Sequence, residues 1–266
     1  MHDLIIIGGG PAGLSAAMTA RNRNQTVLMI SGSMADSGLW KAEHVTNYPG
    51  TPNISGKALL ERMTQQAEDM GVEFLHARVL SAMPMGETIG VSAGTEFEEC
   101  RALIIATGIA PKNVFPGEKE FLGRGVSYCA TCDGMLYRGK RTAVIGLSAD
   151  APEEAEFLRG IGCDVQYFEG KKQQFEIRGA QTADTLVADG ASIPVDVVFV
   201  LRSGVAADAL MPGLATEGGH IVVDAAQATN IPGVFAAGDC TGAPYQIPVA
   251  VGEGNKAALS VVKYLR

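Results

Sequence analysis

Leu4-Ile5-Ile6-Ile7-Gly8-Gly9-Gly10-Pro11-Ala12-Gly13 carries an aliphatic run that breaks into glycines and then into a proline. An unbroken run of apolar residues is what a parallel strand buried on both faces requires, and the Ala-, Leu- and Met-containing stretch from Pro11 to Arg21 predicts a helix behind it. Thr26 to Ile30 supplies the next apolar run. Strand, glycine turn, helix and strand within about thirty residues is the setting in which G-x-G-x-x-G reads as a dinucleotide-binding turn. Gly8 permits the tight turn, Gly10 lets backbone amides approach a pyrophosphate, and Gly13 allows close helix–strand packing. The helix N-terminus at Pro11 and Ala12 adds partial positive charge for the phosphates.

Outward from that turn, the pattern predicts a helix over 57–70, short strands over 72–75, 78–83 and 90–92, and a buried strand over 102–106 that ends at Thr107-Gly108. A second strand–turn–helix–strand unit begins at Thr142-Ala143-Val144-Ile145-Gly146, passes through Ala151-Pro152-Glu153-Glu154 and reaches 164–168. Another buried strand follows over 196–201, then strands near 220–223 and 234–237, and the last twenty residues read as helix. The expected class is therefore α/β with two Rossmann-like domains: a discontinuous one over 1–113 and 204–266, and an inserted one over 114–203 that repeats the first unit in weaker form and that the family resemblance given below implies to be a shortened pyridine-nucleotide-type domain.

That inserted segment contains Cys129-Ala130-Thr131-Cys132-Asp133. Two intervening residues let both sulfurs reach bonding distance across one turn, and a thiolate is the species that attacks a disulfide. Half a zinc site is the rival reading, but the chain has neither a second C-x-x-C nor paired histidines, so no metal is expected. Cys100, Cys163 and Cys240 read as packed thiols, and the odd total of five cysteines fits a catalytic dithiol in a reducing compartment. A formal charge of −8 argues against nucleic-acid or anionic-membrane binding, and the apolar stretch at the N-terminus is far shorter than a membrane span. The location expected is cytoplasmic.

Four segments resemble the low-molecular-weight thioredoxin reductases, which are FAD-dependent disulfide oxidoreductases: Ile6 to Gly13, Asn47-Tyr48-Pro49-Gly50, Tyr128 to Gly134, and Gly233 to Asp239. The resemblance implies that Gly8, Gly10, Pro11, Ala12, Gly13, Thr107, Gly108, Gly238 and Asp239 hold FAD, and that Asn47, Gln246 and Ile247 lie beside the flavin ring. Leu39 and Trp40 fall in the family's flavin-proximal segment, with a buried or surface aromatic as the alternative for Trp40. It further implies that Cys132 faces the flavin, Cys129 attacks the partner disulfide, Asp133 acts as general acid or base, and the protein is a homodimer.

The second glycine turn departs from the family. Where the family has G-x-G-x-x-A, this chain reads Gly146-Leu147-Ser148-Ala149-Asp150-Ala151, which loses the middle glycine and adds a carboxylate where phosphate charge would rest. Phe168-Glu169-Gly170-Lys171-Lys172 replaces the family's paired arginines, and 173–195 is short. Glu169 opposes a 2′-phosphate but leaves NADH open. The chain thus resembles the subset that lacks NADPH motifs and draws electrons from ferredoxin. Two electrons passing from about −400 mV in a plant-type ferredoxin to about −270 mV in thioredoxin fall by roughly 6 kcal/mol. Three readings stand: reduction of thioredoxin or a similar disulfide protein with ferredoxin or another non-pyridine donor, the same chemistry driven by NADH or NADPH, and a non-catalytic flavoprotein, a redox sensor or binding module whose second domain is repurposed around a second flavin or another ligand.

Overall fold

The computed structural model describes residues 1–109, 114–202 and 207–266. These form two compact units, one of residues 1–109 with 207–266 and the other of 114–202. The expected domain boundaries at 113/114 and 203/204 touch segments 110–113 and 203–206, which lie outside the described residues.

In the first unit the chain runs through β1 (His2–Ile7), α1 (Pro11–Arg21), β2 (Val27–Ser31), α2 (Gly56–Asp69), β3 (Glu73–His76), β4 (Val79–Met85), β5 (Thr88–Ala93) and β6 (Glu96–Ile105). The second unit follows with β7 (Val126–Ser127), α3 (Ala130–Asp133), β8 (Arg141–Gly146), α4 (Ala151–Gly160), β9 (Asp164–Glu169), β10 (Phe175–Gly179), β11 (Ala183–Ala188), β12 (Ala191–Pro194) and β13 (Val197–Leu201). The chain then completes the first unit with α5 (Ala207–Leu210), β14 (Thr216–Glu217), β15 (His220–Ile221), β16 (Val234–Ala236) and α6 (Ile247–Tyr264).

The main sheet of the first unit is ordered β3-β2-β1-β6-β5-β4, with β16 also pairing β6. β3, β2, β1, β6 and β16 pair in parallel, whereas β4 and β5 extend the sheet antiparallel. Alternation along β1 feeds two cores: Leu4 and Ile6 pack with Leu14 of α1, Leu60 of α2 and Ala258 of α6, while Ile5 and Ile7 pack with Val91, Leu210 and Met211. This is why the strand reads as apolar throughout rather than alternating. At its end Gly8 takes φ +113°, a conformation that side chains rarely adopt, and a Cβ on Gly13 would overlap the Gly8 carbonyl. The turn thus seats α1 directly against the strand it leaves.

The second unit is built on a parallel sheet ordered β7-β13-β8-β9. Val144 and Phe199 face Leu158 of α4, and Ile145 and Val198 face Leu186 and Ile177 of the antiparallel β10-β11-β12 sheet. The short stretch 173–195 therefore still closes one face of this unit with three strands that the sequence analysis does not separate. Alternation in β10 directs Phe175 and Ile177 inward and pairs Glu176 with Arg178 outside. Asp189 and Gly190, both at positive φ, turn β11 into β12. Near the start and end of the unit, Glu118 and Arg202 form a buried ion pair, with the guanidinium 5.1 Å from the Phe115 ring and Glu118 accepting the Phe115 N–H at 2.9 Å.

Among the described residues no helix is long and apolar enough to cross a membrane.

Candidate functional site

In the first unit the glycine turn, the loop after β6 and the β16–α6 connection meet at the C-terminal ends of the parallel strands. Gly10 stands at the N-cap of α1 with Pro11 behind it, and no side chain caps the helix. A Cβ built on Gly10 would meet nothing within 4 Å, so the space in front of the helix amides is open. Ala237 N donates to Ile105 O at 3.0 Å, which brings the strand carrying Gly238 and Asp239 beside the one that leads to Thr107 and Gly108. A Cβ on Gly238 would come to 2.8 Å from the Ala12 Cβ, so that loop lies against the first turn of α1.

Glu253 of α6 fixes this loop by accepting from Gly238 N at 2.8 Å and from Thr241 Oγ1 at 3.3 Å. Its role is not legible in the sequence, because an acid inside a helix looks like an exposed face until its partners are known. Burial pushes the Asp239 carboxyl up, and the charge of Glu253 adds to the effect. The Asp239 carboxylate receives no hydrogen bond from the described residues, which leaves a half-buried acceptor beside an uncapped helix. Asn47 Nδ2 donates to Gln246 Oε1 at 2.9 Å, so these distant residues are joined where α6 begins at Ile247. Leu39 is buried in the helix-side core, and Trp40 packs at its edge with Lys57 Nζ 4.9 Å from the ring centre. Open amides and a free carboxylate for hydroxyl donors fit a flavin dinucleotide.

In the second unit Cys129 and Cys132 are joined as a disulfide with their Cα atoms 5.4 Å apart. Cys129 is buried and Cys132 half-buried. Cys129 Sγ accepts from Cys132 N at 3.1 Å and lies 3.4 Å from Thr131 Oγ1. Ser127 Oγ donates to Asp133 Oδ2 at 2.7 Å, and Ala130 N donates to Glu154 Oε2 at 3.4 Å. Burial, reinforced by the negative charge of Asp133, raises the Tyr137 phenol. Immediately after the dithiol turn, Met135 and Leu136 are exposed, and Phe157 lies within 3.6 Å of the Cβ direction of Gly134. Cys100, Cys163 and Cys240 are buried free thiols, and burial pushes Cys100 and Cys240 up to about 12.

The second glycine turn closes on itself. Leu147 N and Ser148 N both donate to Leu201 O, at 2.8 and 3.1 Å, and Ser148 Oγ reaches the same carbonyl at 3.3 Å. The Tyr167 hydroxyl fills the space a Cβ on Gly146 would take, and Leu147 fills the corresponding space at Gly170. Asp150 holds the N-cap of α4, with Glu153 and Glu154 in its first turn. Glu169 is ion-paired with Lys172, and burial followed by the Glu169 charge raises the Tyr167 phenol. An aromatic that alternates along a strand gives no hint that its hydroxyl ends at a turn more than twenty residues away in sequence.

The family model for pyridine nucleotide-disulphide oxidoreductases matches residues 2–177 and 170–254. The chain belongs to this family. Its two matched segments meet at 170–177, where the shortened stretch of the second unit begins. A thioredoxin reductase of Aquifex aeolicus is 34% identical over 304 aligned positions, with 100% of this chain and 94% of the relative covered. This chain has 266 residues, so the excess positions fall opposite gaps in it. Among solved structures, a ferredoxin-flavin thioredoxin reductase from Clostridium acetobutylicum superposes with TM-score 0.94 at 38% identity, covering 99% of this chain and 97% of that one. A thioredoxin reductase from Gloeobacter violaceus superposes with TM-score 0.87 at 29% identity over 99% and 94%. With an intact dithiol and this kinship, the chain is a thioredoxin reductase-like flavin disulfide oxidoreductase.

Proposed function

We propose that this enzyme reduces thioredoxin or a similar disulfide protein through Cys129 and Cys132, with electrons from a reduced ferredoxin rather than from NADPH. The carrying observation is that Leu147 N and Ser148 N, amides at the turn where a nucleotide pyrophosphate would bind, already donate to Leu201 O, while three carboxylates crowd the N-terminus of α4. In this reading residues 1–113 and 204–266 bind FAD, and 114–203 form a degenerate nucleotide-type domain that carries the dithiol. Likeness to the Clostridium acetobutylicum ferredoxin-flavin thioredoxin reductase supports the choice of donor. Tyr167 against Gly146 and Lys172 on Glu169 also leave no ready seat for NADH.

Bound FAD supplies the pair of electrons that opens the disulfide. Gly8, Gly10, Pro11, Ala12 and Gly13 would hold its pyrophosphate at the start of α1, with Thr107 and Gly108 alongside and Gly238 shaping the loop that presents Asp239. Asp239 would accept from its hydroxyls, and Asn47, Gln246 and Ile247, with Leu39 and Trp40, would hold its ring. Once the dithiol is reduced, the Cys129 thiolate, held by Cys132 N, attacks one sulfur of the partner's disulfide. The partner's S–S bond breaks, a mixed disulfide to Cys129 forms, and the other partner sulfur leaves as a thiolate that takes a proton from Asp133. The Cys132 thiol then passes its proton to Asp133 and attacks Cys129 Sγ, the Cys129–Cys132 bond re-forms, and the second partner sulfur leaves and takes that proton. Two electrons and two protons have moved to the partner. Exposed Met135 and Leu136 offer it an apolar landing beside the dithiol.

Anaerobic flavin absorbance tests the donor. Reduced ferredoxin is expected to bleach the flavin within turnover time and NADPH is not, with oxidised thioredoxin restoring the colour; rapid bleaching by NADPH would sink the donor assignment. The sulfur assignment is tested by trapping, because Cys132→Ser should accumulate a mixed disulfide with thioredoxin and Cys129→Ser should not.

A further inference from the structure

Ser127 stands between the groups that disulfide exchange uses, on β7 directly ahead of the dithiol turn, and is 4% exposed. Its Oγ accepts from Cys129 N at 3.1 Å. Its single proton has two acceptors in range, Asp133 Oδ2 at 2.7 Å and Cys129 O at 3.3 Å. The shorter bond, to a carboxylate, is the stronger one and takes the proton. Asp133 N closes the ring by donating to Cys129 O at 3.3 Å. The carboxylate of Asp133 and the main chain of Cys129 are thus held by one buried hydroxyl, and neither can turn without breaking a bond to it.

We propose that Ser127 is the positioning residue for proton delivery in disulfide exchange: it fixes the rotamer of Asp133 and ties it to the backbone of the attacking cysteine. The proposal rests on Asp133 acting as the acid that protonates the leaving thiolate. Proton transfer needs the acid within hydrogen-bond reach of the leaving sulfur, so a carboxylate free to rotate delivers it less often. Threonine keeps the hydroxyl; alanine leaves both Cys129 N and Asp133 Oδ2 unpaired.

Leaving-group chemistry makes this testable. An alkyl thiolate leaving from thioredoxin needs a proton, whereas the aryl thiolate of 5,5′-dithiobis(2-nitrobenzoate) leaves readily without one, because a lower leaving-group pKa speeds departure. The full-length flavoenzyme, reduced with one equivalent of dithionite, is mixed in stopped flow with either disulfide across a pH series. Ser127→Ala is expected to slow exchange with thioredoxin by roughly tenfold, a part of the usual acid–base contribution, and to leave the aryl disulfide rate nearly unchanged. Ser127→Thr should restore most of the thioredoxin rate. The pH profile of Ser127→Ala should approach that of Asp133→Asn, and Ser127→Ala should add nothing in the double variant. Equal slowing with both disulfides, or losses that multiply in the double variant, would overturn the proposal in favour of plain support of the turn. If Ser127→Ala does not fold, Ser127→Cys, a weaker donor of similar size, should give an intermediate thioredoxin rate, and a wild-type rate there would overturn the proposal too. Wild-type exchange by Asp133→Asn would instead remove the acid role itself, separating that failure from one confined to Ser127.

Discussion

The two glycine turns begin alike and end in opposite states. Gly8 to Gly13 leaves an uncapped helix facing open space, with a half-buried carboxylate nearby that receives no hydrogen bond from the described residues. Gly146 to Ala151 turns its amides onto Leu201 O, packs Tyr167 against Gly146 and places its own acids at the helix N-terminus. A turn that binds a nucleotide leaves its polar groups unsatisfied without one, whereas a turn that has lost that role satisfies them from within. The contrast predicts that a bound flavin stabilises the first unit and that the second holds itself.

Several measurements would sharpen or break that contrast. The largest expected effect is in the self-held unit, where Glu118→Ala leaves Arg202 buried without its carboxylate. A loss of about 3–5 kcal/mol is expected, with the same loss whether or not FAD is added; calorimetry of the variant with and without flavin reads it. Flavin itself should stabilise the first unit by about 4 kcal/mol when present at a thousandfold excess over its Kd. A melting temperature indifferent to flavin would break the comparison. Gly13→Ala, whose Cβ overlaps the Gly8 carbonyl, should cost about 1–3 kcal/mol by overpacking and reduce flavin content on purification.

Smaller effects probe the second turn and the first cleft's acid. Ser148→Gly with Asp150→Asn should raise NADPH affinity by no more than about tenfold, about 1.4 kcal/mol, because neither change frees the amides held by Leu201 O. Isothermal titration would decide it, and micromolar binding would show the turn to be merely blocked. For Asp239 the sign follows from a folded pKa above its unfolded value. The folded state then binds the extra proton, so flavin-free protein is favoured below the usual carboxylate range and loses that contribution as pH rises through the raised pKa. Urea titrations of flavin-free protein should show this decline, and Asp239→Asn should flatten it.

Much of the fold was legible because its signals are local. The apolar runs of β1, β6, β8 and β13 are buried on both faces, and their lack of alternation says so. The strands within 175–194 are less legible: Asp189-Gly190 marks the hairpin between two of them, but each is only four to six residues long and its alternation spans few positions. Of the site, the glycines, the dithiol and Asp133 are legible as motifs. Ser127, Glu253 and Tyr167 are not, since each acts on a group that the chain reaches only after folding. The pairing of Arg141 with Asp196 at 2.8 Å is likewise a contact that sequence distance hides.

The sequence by itself determined where the buried parallel strands and the main helices fall, that one glycine turn is intact and the other eroded, and that a dithiol sits beside an acid. These rest on backbone conformation and on spacing within a single turn, which neighbouring residues set. Only the tertiary structure decided that the eroded turn is filled by Leu201 O and Tyr167, that Asp239 is half-buried beside Glu253, and that one buried hydroxyl joins Asp133 to Cys129. Whether a polar group is satisfied depends on what folding brings against it, and no local pattern carries that information.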